Sequence, residues 1–322
     1  MIEKEMRSEN HIMPWGVYKN PSWQCTVQRR KFDNFLALKA VEAGAELMTL
    51  TKVCGIKAIA PGHVEVELVK YPAEKMRVLS GRGMIIADGP RTLANSIGLG
   101  YRFTDKTSAL ALAYELSWPD NSMDYYEIYY GVGIAQWGYT WVFPYRDVLN
   151  VGVGYVMSEV KKRNSLQSAL IEFINNHPHA SRLLRGKPVI RKQAGLIPLR
   201  TARNMVGNST LVVGDAAGLV HPLVGSGIEP ALDSGNLAGN VMSSALDRGD
   251  LSHEFLSRYQ QEWRSTLIFR SMERQHFIAM AGQVLSRVDR NIIAKIVQFS
   301  MGRKLSLLDK SRVLTYPWLG QP

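Results

Sequence analysis

Apolar residues fall at Phe35, Leu36, Leu38, Ala40, Val41, Ala43 and Leu47, a helical spacing that predicts a helix after Asp33. Gly44 is expected to end it ahead of a short strand over residues 46–50. Val64, Val66 and Leu68 alternate with Glu65 and Glu67, and Met84, Ile85 and Ile86 form a buried-strand run that stops at Ala87-Asp88-Gly89. From residue 110 the chain becomes rich in Tyr, Trp, Val and Gly. Strands are expected over 109–116, 125–131, 139–145 and 149–155, the last two joined by a turn at Arg146-Asp147, which makes an antiparallel sheet. A helix fits 165–176, Pro178, Gly186 and Pro188 mark loops, and 189–198 is extended again. An apolar strand then runs into Gly214-Asp215-Ala216-Ala217-Gly218. A long helix is expected over 228–246, followed by basic helical sequence from 251 to about 308. No internal repeat interrupts this order.

With 322 residues, 46% of them hydrophobic, the chain buries a core and lies outside the disordered class. Its formal net charge of +11 favours anionic partners without choosing among nucleic acid, phosphorylated cofactors and acidic lipid. The basic residues are dispersed and match no nucleic-acid motif, so nucleic acid is not expected as a partner. Cys25 and Cys54 are too few for a disulfide framework or a zinc cluster and read as small buried hydrophobes in a reducing compartment. Glu3, Glu5 and Glu9 stand where a signal peptide would carry an apolar core, so export is not expected. The longest apolar tract, 210–228, contains Asp215 and His221 and is Gly-rich, which argues against a membrane span. The expected location is cytoplasmic, with membrane association open.

The strongest local signal is the segment from Gly214 to Gly218, followed by Pro222 and by Gly225-Ser226-Gly227-Ile228 at the start of a helix. Open α/β sheets bind ligands beyond the carboxyl ends of their strands, where Asp215 falls. A carboxylate there accepts hydrogen bonds from sugar or polyol hydroxyls. The helix start offers free N–H groups and a partial positive charge to a phosphate or to the anionic pyrimidine edge of a reduced flavin. The same Asp would serve equally to cap a turn beside a core strand. Tyr139, Trp141 and Phe143 alternate with period two, so they share one sheet face and could line a long apolar pocket or pack a core. His221 lies inside the same loop as Asp215, and a lone histidine is most often structural.

The stretch GDAAGLVHPLVGSGIEPALDSG, residues 214–235, resembles the second FAD motif of geranylgeranyl reductase flavoproteins in the para-hydroxybenzoate hydroxylase superfamily. Three further stretches agree in order and spacing. Arg29-Arg-Lys-Phe-Asp33 with Leu36 and Gly44-Ala45 is similar to the family's R-x-x-F-D-x-x-L helix, and Ala87-Asp88-Gly89 to its Ala-Asp-Gly segment. Tyr139-Thr-Trp141-Val-Phe143-Pro144, with Asn150-Val-Gly-Val-Gly154 after it, resembles the Y-x-W-x-F-P motif that helps hold the lipid chain. The resemblance implies an α/β fold: a partial Rossmann-like FAD domain (residues 1–107 and 195–250), an inserted antiparallel-sheet substrate domain (108–194) and a helical C-terminal region (251–322). It implies FAD held by Arg29, Asp88, Gly214, Asp215, Gly225, Ser226, Gly227 and Ile228, and an isoprenoid or lipid substrate lined by Tyr139, Trp141, Phe143 and Pro144. The implied activity is hydride delivery from reduced flavin to isoprenoid double bonds, with NAD(P)H or ferredoxin as alternative electron donors. A flavin monooxygenase of the same superfamily is the alternative reaction.

The family's opening strand, G-x-G-x-x-G turn and helix have no counterpart here. Gly81-Arg-Gly83, Gly98-Leu-Gly100, Gly131-Val-Gly133, Gly152-Val-Gly154 and Gly225-Ser-Gly227 all lack the third small residue. The absence of that unit is expected to leave apolar strand edges uncovered, and a fragment, a subunit whose partner chain supplies the missing unit, and a remnant without flavin are the three readings. Ser226 and Glu229 stand where the family more often has Glu and an aromatic residue, which alters the floor of the flavin site. Near the C-terminus Ile292, Ile293, Ile296, Val297 and Phe299 form an apolar face flanked by Arg290, Lys295, Arg303 and Lys304. Such a helix docks on its own core or lies on an anionic membrane.

Overall fold

The computed structural model describes residues 2–8, 11–17, 26–72, 75–119, 126–131, 135–160 and 165–285. Cys25 and the basic amphipathic segment at 290–304 lie outside the described residues. The chain divides into two compact units, one drawn from residues 1–39, 109–196 and 278–322, the other from 40–108 and 197–277.

The first unit is built on a seven-stranded sheet in the order β1-β2-β8-β9-β10-β7-β11. Its strands are β1 (Ile2–Ser8), β2 (His11–Val17), β7 (Ser108–Ser117), β8 (Glu127–Gly131), β9 (Ala135–Tyr145), β10 (Val148–Val156) and β11 (Val189–Pro198). The antiparallel core β7-β10-β9-β8 is the sheet expected from the Tyr, Trp and Val pattern, with the tight turn at Arg146 and Asp147. The N-terminal residues, expected with the flavin-binding part, instead extend this sheet: β2 pairs with β8 in the register Trp15 to Tyr129. Their acidic and apolar residues alternate too loosely for the sequence to reveal a long-range partner.

Helix α1 (Arg29–Glu42) ends at Gly44 as expected, and no residue of it is buried. After the short α2 (Met157–Val160), α3 (Leu166–Asn176) is capped by Ser165, whose hydroxyl accepts the Ser168 N–H at 3.2 Å. It lays Leu166, Leu170, Phe173 and Ile174 on the sheet, against Tyr129, Val142, Leu149, Val151 and Val153. Tyr129 packs edge-on against Phe173 at 4.9 Å and donates its hydroxyl to the buried Glu127. His177, past the end of α3, accepts the Ala180 N–H at 3.1 Å through Nδ1 and so starts α4 (Ala180–Leu184). Burial, with the neighbouring His179, lowers the His177 pKa to about 4. Between that value and the ordinary 6.5 the unfolded chain binds more protons than the folded one, so stability falls as pH drops through this window and is fully regained above it. His177→Asn keeps an acceptor but does not titrate. Urea unfolding between those two pH values is expected to show a shallower loss of stability for this variant than for the parent.

The second unit contains the antiparallel meander β3 (Thr51–Ala60), β4 (His63–Lys70) and β5 (Lys75–Gly81). Residues 46–50, expected as a strand, are coil and turn. Leu50 takes a positive φ of 54° and its carbonyl receives the Tyr71 N–H at 2.9 Å, so the meander closes there and pairing begins at Thr51. A second sheet sets β6 (Met84–Ile86) parallel to β13 (Thr210–Val212), with β12 (Val206–Gly207) antiparallel on the far side. Ser209 ties the two sheets together, donating to the Ala60 carbonyl and accepting the Gly62 N–H, each at 2.8 Å. Helices α5 (Ile228–Arg248), α6 (His253–Ser265) and α7 (Leu267–Leu285) follow. Leu211, Val212, Ala216, Ala238, Ala245, Leu256, Tyr259 and Trp263 form the core that holds this pair of strands. Strand β6 is the outer member of its sheet among the described residues, and Ile85 on it is exposed.

Candidate functional site

The parallel pairing of β6 with β13 runs Met84 with Thr210, Leu211 with Ile85 and Val212 with Ile86. This register brings Asp88 and Asp215 to the same edge, each just beyond the carboxyl end of its strand. The chain then makes a 3-10 turn at Gly214–Ala217, whose four carbonyls and first N–H are all engaged by the protein. The Gly214 N–H donates to Ser234 Oγ at 3.1 Å, the Ala216 carbonyl accepts from Tyr101 N–H at 2.7 Å, and the Ala217 carbonyl accepts from Ala202 N–H at 2.9 Å. Buried Tyr259 donates to the Val212 carbonyl at 3.0 Å and fixes the strand from below, and burial raises the pKa of its hydroxyl. The turn is rigid because its backbone is anchored on three sides.

The small residues serve this anchoring. At Gly218 the backbone is left-handed, φ 69°, and a Cβ would stand 2.1 Å from the Arg200 carbonyl oxygen. At Gly227 a Cβ would meet Asp215 Oδ1 at 2.9 Å, so that glycine makes room for the aspartate itself. The absence of a side chain there leaves the Asp215 carboxylate lying against the start of α5.

Residues 219–227 form a closed loop. The His221 N–H donates to the Ser226 carbonyl at 2.9 Å and the Gly225 N–H donates to the His221 carbonyl at 2.8 Å, which delivers Gly227 as the N-cap of α5. No side chain caps this helix. Its first N–H groups have no intrahelical acceptor, and Pro230 contributes none. An uncapped helix start and a carboxylate beside it suit a ligand with a partial negative charge at one end and hydroxyl donors next to it.

In the first unit, Tyr139, Trp141 and Phe143 stand in a row on one face of β9, with ring centroids 5.6 and 6.2 Å apart. All three are half-buried, whereas Thr140 and Val142, between them on the other face, are buried. The Trp141 indole N–H donates to Asn150 Oδ1 at 2.7 Å across the β9-β10 ladder. A Cβ on Gly152, opposite Trp141, would fall 2.1 Å from the indole ring, so that glycine is the slot in which the ring lies. Burial pushes the Tyr139 hydroxyl up to about 12, keeping it a neutral donor, and Pro144, next to Phe143 in the chain, accepts from the Thr26 hydroxyl through its carbonyl. Together these side chains are an apolar, aromatic wall with a polar tip.

Residues 108–196, the segment that carries this wall, match the geranylgeranyl reductase catalytic domain. A digeranylgeranylglycerophospholipid reductase of Methanothermobacter thermautotrophicus is 32% identical over 77% of this chain, and one of Methanocaldococcus jannaschii is 33% identical over 74%. The chain belongs to the geranylgeranyl reductase family. It spans 62% and 60% of the lengths of those two relatives. A geranylgeranyl bacteriochlorophyll reductase-like structure from Thermoplasma acidophilum superposes with a TM-score of 0.77 at 25% identity, covering 98% of this chain and 80% of that one. A flavoprotein/dehydrogenase from Cytophaga hutchinsonii shares the fold at a TM-score of 0.60 and 17% identity, covering 97% and 78% of the two chains. The fold is therefore one found in flavin-dependent proteins.

Within this geranylgeranyl reductase-family chain, the structure collects Asp88, Gly214, Asp215, Gly225, Ser226, Gly227 and Ile228 in the second unit. Asp88 Oδ2 accepts the Leu93 N–H at 2.7 Å, which makes it a turn cap as well as a neighbour of the strand edge. Arg29 belongs to the first unit, where it pairs with Asp33 at 3.0 Å and its charge acts on Tyr145. Cys54 is exposed rather than buried, because it lies at an irregularity in β3 where the ladder to β4 shifts register. Sequence reasoning missed Ser234, Tyr259 and Gln275, which lie on three different helices and which the sequence marks only as helix positions. It also passed over Gly152, whose signal is its place opposite Trp141 once the turn at Arg146-Asp147 sets the register. Among the described residues no helix is long and apolar enough to cross a membrane.

Proposed function

We propose that this protein is an FAD-dependent reductase of isoprenoid double bonds, acting on an isoprenoid or isoprenoid lipid. The observation that carries the reading is the match of residues 108–196 to a geranylgeranyl reductase catalytic domain whose sheet carries the row Tyr139, Trp141 and Phe143 on one face. A long hydrocarbon without polar handles is recognised by apolar area and shape, and aromatic rings held in fixed orientation supply both. Asp215 would accept hydrogen bonds from the ribityl hydroxyls of the flavin, and the uncapped start of α5 at Gly227 and Ile228 would face its pyrimidine edge. The bound flavin supplies two electrons as hydride chemistry to a double bond. The protein's own contributions are to hold the carboxylate, to orient the helix dipole and to exclude water with the aromatic wall. The electron donor is a nicotinamide or a ferredoxin-type protein.

The test is to purify the protein, add FAD and record its visible absorbance, then follow an isoprenoid lipid by mass spectrometry for a gain of two hydrogens per double bond. Oxygen consumed with substrate and an added oxygen atom would instead indicate a monooxygenase, and a colourless protein that takes up no flavin would indicate a non-catalytic subunit. Asp215→Ala is expected to weaken FAD binding about ten- to a hundred-fold, the loss of one or two hydrogen bonds to a charged acceptor. Retention of FAD by this variant with unchanged affinity would remove Asp215 from the site.

A further inference from the structure

The loop between Asp215 and α5 holds one titratable ring, and its surroundings are built for two protonation states. His221 is buried, and its Nε2 lies 3.3 Å from Glu229 Oε2 on the first turn of α5. Its Nδ1 lies 3.0 Å from Gln275 Nε2 on α7. An amide nitrogen only donates, so Nδ1 accepts and the proton of the neutral ring sits on Nε2, directed at the Glu229 carboxylate. The Gln275 amide also reaches Ser271 Oγ at 3.3 Å, while its carbonyl oxygen Oε1 is buried and has no hydrogen-bond partner. That unsatisfied oxygen is costly in the neutral state. A half-turn of the carboxamide would present Oε1 to Nδ1, which is the arrangement a second ring proton requires. The protonated ring would then have Glu229 on one nitrogen and Gln275 Oε1 on the other, with both donors satisfied.

Among the described residues the ring nitrogens meet Glu229 from α5, which is also the ion-pair partner of His221, and the uncharged Gln275 from α7, whose amide reaches Ser271. The ring is also mechanically joined to the helix start, because its own backbone bonds Ser226 and Gly225 immediately before the N-cap. A negative charge arriving at that helix start stabilises a protonated imidazole in the same loop.

We infer that His221 is the proton-holding residue of this site: with Glu229 and Gln275 it takes up one proton when the flavin bound at the start of α5 is reduced. The inference rests on the flavin reading above. Two electrons come from an external reductant, a nicotinamide or a low-potential iron–sulfur protein in use and dithionite in the cuvette. One proton from solvent goes to the flavin, leaving it anionic at its pyrimidine edge, and a second goes to His221 Nδ1. No bond to carbon forms in this step. Glu229 is in this light the acceptor that receives the ring's Nε2–H.

The FAD-loaded protein, titrated with dithionite and a redox dye from about pH 5 to pH 8, tests this. The midpoint potential of the parent is expected to fall with pH at the slope of one proton per electron over part of that range. His221→Gln, which hydrogen-bonds but does not titrate, is expected to show half that slope while keeping the flavin spectrum. Equal slopes in parent and variant, with flavin bound in both, overturn the inference and leave the flavin reading standing. Failure of the parent to take up FAD overturns both. Independently of flavin, nitrogen NMR of the neutral imidazole is expected to show the Nε2–H form, directed at Glu229. The opposite tautomer also overturns it.

Discussion

Replacing Gly218 by alanine is expected to destabilise the protein by about 3–5 kcal/mol, against about 1 kcal/mol for the same change at Gly249. Both glycines have left-handed backbones, φ 69° and 72°, and both end helical turns. They differ in what surrounds them. A Cβ at Gly249 meets nothing within 4 Å, so the substitution carries only the conformational cost of an L-residue in that region. A Cβ at Gly218 would sit 2.1 Å from the Arg200 carbonyl oxygen and 3.1 Å from the Tyr101 ring, and the carbonyl is backbone that cannot swing away. Relief requires moving the turn, and with it the hydrogen bonds from Tyr101 and Ala202 that hold Ala216 and Ala217. Urea unfolding of the two variants measures the difference directly. Equal losses would mean that the anchored turn is softer than its hydrogen bonds imply. FAD affinity should fall with the Gly218 variant and stay unchanged with the Gly249 variant.

Gly152→Ala is expected to abolish most lipid reduction, by about a hundred-fold, with flavin binding intact and a stability loss of about 1–3 kcal/mol. The new methyl group would occupy the place of the Trp141 ring, which lies 2.1 Å from the Cβ position. The indole must tilt off the sheet, breaking its 2.7 Å bond to Asn150 and displacing the central member of the row between Tyr139 and Phe143. The row proposed to hold the hydrocarbon is then displaced, while the loop around Asp215 keeps its own hydrogen bonds. Asn150→Ala is the milder companion. It removes the acceptor but leaves the slot, and should cost about 1 kcal/mol of stability with a smaller loss of turnover. If Gly152→Ala reduced lipid as fast as the parent, the aromatic row would be packing and not a substrate wall.

Much of the architecture was legible because it follows from short-range rules. The period-two runs at 109–116 and 149–155 and the turn at Arg146-Asp147 specified an antiparallel sheet, and Ser165 before an amphipathic run specified α3. Helix α5 was readable from its glycine-rich start to its basic last turn at Arg248. The strand, turn and helix start around Asp215 were legible as elements too, from an apolar run, the small residues that follow it and the glycines before Ile228. What failed was non-local. Residues 46–50 were apolar enough for a strand, yet Leu50 had to take a positive φ to close the meander on Tyr71. The N-terminal strands β1 and β2 carry no local sign that their neighbour is β8, more than a hundred residues on.

The chain by itself determined which elements form, among them an antiparallel sheet carrying aromatic residues at period two and an apolar strand that runs into a small-residue turn before a long helix. These depend on periodicity, turn chemistry and helix ends, all of which act over a few residues. Only the tertiary structure decided which residues serve one another. It set Gly152 beneath Trp141, Gly227 beside Asp215, and Glu229 and Gln275 on the two nitrogens of His221. Side-chain partners are chosen by packing, and packing brings together positions as far apart as 221 and 275 for reasons that no local pattern encodes.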